Sequence, residues 1–203
     1  FLMAIVICLH HFRLYSDALP YGGGYLAVDF FFILSGLFLY RHGKYSYADS
    51  IKAGLGNTIE YIWRRYKRLY IPYIIALMLY VIIYFFIGNL NLGIGSIKEL
   101  ILKFTMMDAL YVENQLPIMP QGWYCSSLII SSGIVYFGYS FFRDKFAKFI
   151  SPVLAAGIYV FFLKKYGNLN LYSQYGFGLT VGTYRAIAGL CLGCFLGFII
   201  DSH

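Results

Sequence analysis

Charge is what this chain has least of. Only 9 of its 203 residues are acidic and 16 basic, 12% charged in all, too few to cover the surface of a soluble domain of this length. Cysteine is scarce too: Cys8, Cys125, Cys191 and Cys194 lie in or against apolar runs, without the spacing of a secreted disulfide framework. Cys191 and Cys194 make a nominal CxxC, but no histidine or acid stands near them. Helix packing accounts for the pair better than metal or redox chemistry, and no metal site is expected. The formal net charge of +7 would suit nucleic acid only if the basic residues formed one stripe. They cluster instead in short segments between apolar runs, which is the positive-inside pattern of a membrane protein, so nucleic acid is excluded as a partner and a lipid bilayer is implied.

What fills the chain is apolar. Hydrophobic residues make up 60% of it and the mean hydropathy is +0.68, which predicts an all-α, polytopic transmembrane helical bundle. About six spans are visible: residues 1–12, 25–40, 69–86, 123–142, 149–163, and a last one carrying Gly189, Gly193 and Gly197 at every fourth position, a groove for close helix packing. Between the third and fourth, SIKELILKFTMMDALY reads as an amphipathic helix on the outer interface. Ser96 and Glu99 form a capping box, Ile97, Leu100, Ile101, Phe104 and Tyr111 share one face, and Lys98, Glu99, Lys103 and Asp108 lie largely off it. The chain opens inside an apolar run at Phe1 and stops at His203 just past a span. Residues 1–203 are therefore expected to be one partial transmembrane domain, truncated at both ends, in which no cleavable signal peptide can be argued.

The organising stretch is Gly22–Gly36, GGGYLAVDFFFILSG, which sets an acid, a hydroxyl and a glycine among aromatics and aliphatics. An ionisable group at bilayer depth costs roughly 2.5–3.5 kcal/mol on insertion scales, so Asp29 calls for a partner or a task, unless it sits solvated at headgroup level. The first span ends in His10 and His11. Adjacent positions point about 100° apart on a helix, so one imidazole faces the bundle and the other turns toward lipid or interface. The turn that follows, with Pro20 and three glycines, makes the first two spans antiparallel neighbours. Histidine and Asp29 would then share an end of the bundle, where a carboxylate can hold an imidazole in one tautomer for proton chemistry.

Residues 41–68 form the most basic region, a cytoplasmic loop by the charge rule: Arg41, Lys44, Lys52, Arg64, Arg65, Lys67 and Arg68 against Asp49 and Glu60. WRRYKRL can serve orientation and headgroup contact, or can clamp the phosphates of a cytoplasmic donor, since Arg64 and Arg68 fall one turn apart. The fourth span opens with GWYCSS. Ser126, Ser127, Ser131 and Ser132 make a polar stripe suited to helix packing, and Trp123 and Tyr124 suit an aromatic belt or contact with a sugar. Lys164, Lys165 and Arg185 fall in a loop on the outer side, against the charge rule.

A histidine closing the first span, VDFFFILSG in the second and RRYKRL leading to Pro72 in the third resemble the membrane acyltransferase-3 family. These are integral membrane O-acyltransferases that move acetyl or other short acyl groups from cytoplasmic acyl-CoA to surface polysaccharide and similar acceptors. The family's first-span motif is an arginine or lysine, ten residues, then the catalytic histidine. Aligned here, that histidine is His11 and the basic residue would fall immediately before Phe1; eleven positions put both on one face, about 16 Å apart. Two departures stand out: Pro72 follows Arg68 by four positions where the family often has three, and Leu128 stands where many members carry a glutamate. The family has about ten spans, so the resemblance covers its first part.

The resemblance implies His11 as the residue that activates an acceptor hydroxyl or briefly carries the acyl group, with Asp29 orienting it. Arg64, Arg65 and Arg68 would hold the donor, and Ser35, Trp123 and Ser126 would contact substrate. It also implies acyl-CoA as donor substrate with no bound cofactor, a glycan acceptor, and a multi-pass place in a bacterial inner or plasma membrane. A noncatalytic module of polysaccharide transport or export is the competing reading, with polar residues lining a path instead of meeting at a point.

Overall fold

The structure, a computed structural model, describes residues 1–13, 23–44, 46, 48–87, 94–110, 118–169, 171, 173–176 and 178–202. It is an all-α bundle: α1 (Leu2–Arg13), α2 (Leu26–Gly43), α3 (Ile51–Ile87), α4 (Ile94–Phe104), α5 (Trp123–Lys145), α6 (Ser151–Tyr166) and α7 (Val181–Ser202). Short 3-10 turns at Asp108–Leu110 and Pro120–Gly122 precede α5, and Tyr175–Gly176 pairs with Leu179–Thr180 in a two-residue antiparallel ladder. Four helical stretches are long and apolar enough to cross a membrane, Leu26–Gly43, Ile51–Ile87, Pro120–Tyr166 and Val181–Ser202, and Leu2–His11 is a shorter apolar helix. The third stretch breaks at Arg143, whose backbone (φ 44°, ψ −121°) is not helical, and a π turn at Phe146–Ile150 leads into α6. The six apolar segments of the sequence thus appear as α1, α2, α3, α5, α6 and α7.

The bundle is built on the seam between α2 and α7. A methyl group on Gly193 would lie 1.9 Å from the Ile33 carbonyl oxygen, and one on Gly36 would lie 2.1 Å from that of Leu190. Only glycine permits so close an approach, and without water-driven burial in lipid such backbone-to-backbone packing is what holds helices together. Hydroxyls fasten α5 to the same helix: Ser127 and Thr183 share a hydrogen bond of 3.2 Å, and Ser131 donates to the Thr183 carbonyl at 3.1 Å. The serine stripe is a packing device, as its residue types suggest.

One end of the bundle gathers the basic residues. Lys44, just past α2, pairs with Asp201 of α7 at 2.8 Å, and Arg143 donates to the Lys44 carbonyl at 2.5 Å. The other end brings together the C-terminus of α1 and the N-termini of α2, α5 and α7. Ile7 shares a cavity with Val28 and Phe31 of α2, in keeping with antiparallel first and second spans.

Three expectations need correction. Residues 51–68 are not loop: they are the first half of α3, whose 37 residues run about 55 Å, well beyond one bilayer crossing. Arg185 is not in an outer loop but in α7, where it is 2% exposed; of the three cations that broke the charge rule, it is removed from the count, while Lys164 and Lys165 are exposed near the end of α6. The amphipathic helix exposes Ile97 and Ile101, as a helix against lipid does, but it starts before its predicted cap. It begins at Ile94, ahead of Ser96, and Glu99, Lys103 and Asp108 are buried, the Lys103 ammonium 3.6 Å from Glu99 and 3.7 Å from Asp108. In a membrane the outward face is the apolar one and charges must be satisfied inside. Residues 14–22 with Pro20, the segment 88–93 and Tyr111 lie outside the described residues.

Candidate active site

A cavity of about 690 Å³ opens at the end of the bundle where α1 meets α2, and both His10 and His11 line it. One imidazole was expected to turn away; the cavity instead wraps around the last turn of α1, so positions 100° apart both reach it. His10 is seated by Gly24, where an added methyl would lie 2.5 Å from the His10 Cβ. Its ring stands edge-on to Tyr25 at 6.4 Å and to His11 at 5.7 Å, and its Nδ1 is buried with no hydrogen-bond partner among the described residues. Such an atom in a cavity wall is hydrogen-bonding capacity awaiting a substrate or solvent.

Asp29 does not reach these histidines. It is absent from the cavity wall among the described residues, and its carboxylate accepts from Arg185, 2.6 Å from Nη2 to Oδ2 and 3.4 Å from Nε to Oδ1, with the Tyr159 hydroxyl also bonded to it. The predicted carboxylate–imidazole contact is replaced by a carboxylate–guanidinium pair, because Asp29 lies two turns from Gly36 on the face of α2 that packs against α7. Arg185 lies one turn before Gly189 and two before Gly193 on the answering face. The signal was in the sequence: one intramembrane acid and one arginine, each on a helix face marked by glycine at helical spacing.

The rest of the cavity is aromatic and thiol. Trp123, Tyr124 and Cys125 enter it from the start of α5, together with Tyr25 and Arg185. The Tyr124 ring stacks on Phe32 at 4.8 Å; its hydroxyl bonds to Ser35, and the Arg65 charge lies within electrostatic range. Ser35 thus sits behind the wall, touching the site through Tyr124. Ser126 is fully buried and accepts the Ala109 N–H at 2.9 Å, a structural bond that fixes the turn ahead of α5 and keeps this hydroxyl out of the cavity.

The three arginines of α3 part company at the opposite end. Arg64 pairs with Glu60 and lines a second cavity of about 130 Å³ with His42, Tyr61 and Tyr136. Arg65 turns inward and donates to the Tyr61 hydroxyl at 2.8 Å; Tyr61 stacks flat on Tyr136, centroids 4.2 Å apart, with His42 edge-on at 5.3 Å. Arg68 is exposed. From Tyr25 to His42 along α2 the two cavities are about 25 Å apart. Between them runs a polar thread, from Ser35 and Tyr124, which feels the Arg65 charge, through Arg65 to Tyr61.

Residues 1–202 match a family model described as an acyltransferase domain. No curated protein and no solved structure gives a significant match.

Proposed function

Because this chain belongs to the acyltransferase-3 family of membrane acyltransferases, we propose that it transfers an acyl group, acetyl in the first instance, from acyl-CoA to a hydroxyl of a cell-surface glycan. The observation that carries this reading is the pair of cavities at opposite ends of one bundle, a histidine cavity and an arginine-lined one, joined by the polar thread through Ser35 and Arg65. A bilayer separates a cytoplasmic donor from an outer acceptor, and such a layout lets each approach from its own side. The basic end faces the cytoplasm of a bacterial inner or plasma membrane by the positive-inside bias. Arginine forks there suit the donor's phosphates while its acyl arm extends along the thread.

At the far end, the His11 imidazole takes the proton of the acceptor hydroxyl as its oxygen adds to the thioester carbonyl. The carbon–sulfur bond then breaks and the proton passes to the departing thiolate. Positioned general-base catalysis of this kind contributes about 10²- to 10⁴-fold in rate. The faces of Trp123 and Tyr25 suit a sugar ring, and the apolar walls exclude competing water. Family membership removes the ground for a noncatalytic export module. In the test, purified protein in lipid discs is given radiolabelled acetyl-CoA and an oligosaccharide acceptor. His11→Ala should abolish label transfer while the protein stays folded in the disc; undiminished transfer would move the role to His10 or off both.

A further inference from the structure

Arg185 is the one lysine or arginine, among the described residues, that lines the histidine cavity, while its counter-ion Asp29 does not line it. The pair is neutral as a whole and presents its positive end to the cavity. The guanidinium is also immobilised. Nε–H and one Nη2 N–H go to Asp29, the second Nη2 N–H goes to the Tyr25 carbonyl at 3.4 Å, and one Nη1 N–H goes to the Leu171 carbonyl at 3.2 Å. The rings of Tyr25 and Trp123 flank it, 5.8 and 6.0 Å from its central carbon. An arginine has five N–H donors, so one, on Nη1, is left without a partner among the described residues.

We propose that Arg185 is a further catalytic residue of the acyl transfer: its remaining Nη1 N–H and the positive end of the Arg185–Asp29 pair stabilise the oxyanion formed on the acyl carbonyl. The inference rests on the reading that transfer takes place in the histidine cavity. As the acceptor oxygen bonds to the thioester carbon and gives its proton to imidazole, the carbonyl π electrons move onto oxygen, beside Arg185. When the intermediate collapses, the carbonyl re-forms, the carbon–sulfur bond breaks, and the thiolate recovers the proton. A fixed donor aimed at charge that exists only in the transition state costs no reorganisation at the moment of reaction. A neutral ion pair gives the uncharged ground-state carbonyl little, so the effect falls on kcat and not on binding.

The experiment uses the full chain in lipid discs with acetyl-CoA and a glycan acceptor, and a CoA thioether that lacks the carbonyl as a binding probe. The double variant Asp29→Asn/Arg185→Gln keeps the shape of the pair and strands no charge. Its kcat should fall by about 10²- to 10³-fold, the range seen on removing one oxyanion donor, with KM for acetyl-CoA and the affinity for the thioether changed less than twofold. Should that variant fail to stay monodisperse, Arg185→Lys decides: its kcat must fall at least tenfold at unchanged thioether affinity. An unchanged kcat, or a loss that appears equally in thioether binding, overturns the proposal in either variant. Wild-type protein that transfers nothing from any acyl-CoA overturns the proposed function itself, and this inference with it; active wild type with equally active variants overturns the inference alone.

Discussion

Asp29→Ala would leave the Arg185 guanidinium buried beside the cavity without its counter-ion. Breaking a buried pair by removing one partner costs about 3–5 kcal/mol, most of it from the charge left behind. The variant should therefore lose much of its folded population, read as monodisperse protein after detergent extraction, and adding Arg185→Met should restore a large part of it. A carboxylate that merely oriented His11 would behave otherwise, lowering turnover while leaving the fold intact. At this scale the chemistry of each side chain is legible in the sequence, but its partner is not. His10 and His11 both line the cavity, whereas Asp29 bonds to Arg185 and not to an imidazole, and Ser126 to the Ala109 backbone.

Among the elements, α2 and α7 form the joint on which the site depends, since their contact sets where Asp29, Arg185 and Tyr25 stand. Gly193→Val would drive a side chain into the Ile33 carbonyl, 1.9 Å from the position of its Cβ, and the helices must separate. Extracted protein should melt at a markedly lower temperature and lose acyl transfer, while Gly56→Val, where nothing lies within 4 Å of an added Cβ, should do neither. The buried charge cluster that joins α4 to the turn at Asp108 makes a second prediction. Burial pushes the Asp108 carboxyl above its ordinary value, with Lys103 partly opposing. A carboxyl raised in the folded state holds its proton more tightly there than when unfolded. Stability should therefore decline as pH rises from the ordinary carboxylate value of 3.8 through the raised one. Asp108→Asn should flatten this dependence in melting curves taken across acidic to neutral pH.

For the whole molecule, the separation of the two cavities fixes a topology that can be measured. Gly23, exposed at the histidine end, and Ser202, exposed at the basic end, should be labelled from opposite sides of the membrane when each is replaced by cysteine. The background is Cys8→Ser/Cys125→Ser and the thiol reagent membrane-impermeant, with Ser202→Cys reached from the cytoplasm. Labelling of both from one side would remove the basis for a donor and an acceptor meeting across the bilayer.

Class, spans and the glycine faces of α2 and α7 follow from the sequence by itself, because composition and the 3.6-residue period are local properties that any reader of the chain can count. The family was legible too, in a histidine, a short aromatic run and a basic stretch at set intervals. The tertiary structure alone decided how each helix is rotated about its axis, and so which polar groups meet. Asp29 and Arg185 are separated by 156 residues along the chain, and their pairing follows from the close fit of two backbones at Gly36 and Gly193. Rotation of the other helices likewise turned Arg65 inward, left Arg68 outside, and buried Glu99 and Lys103 of α4.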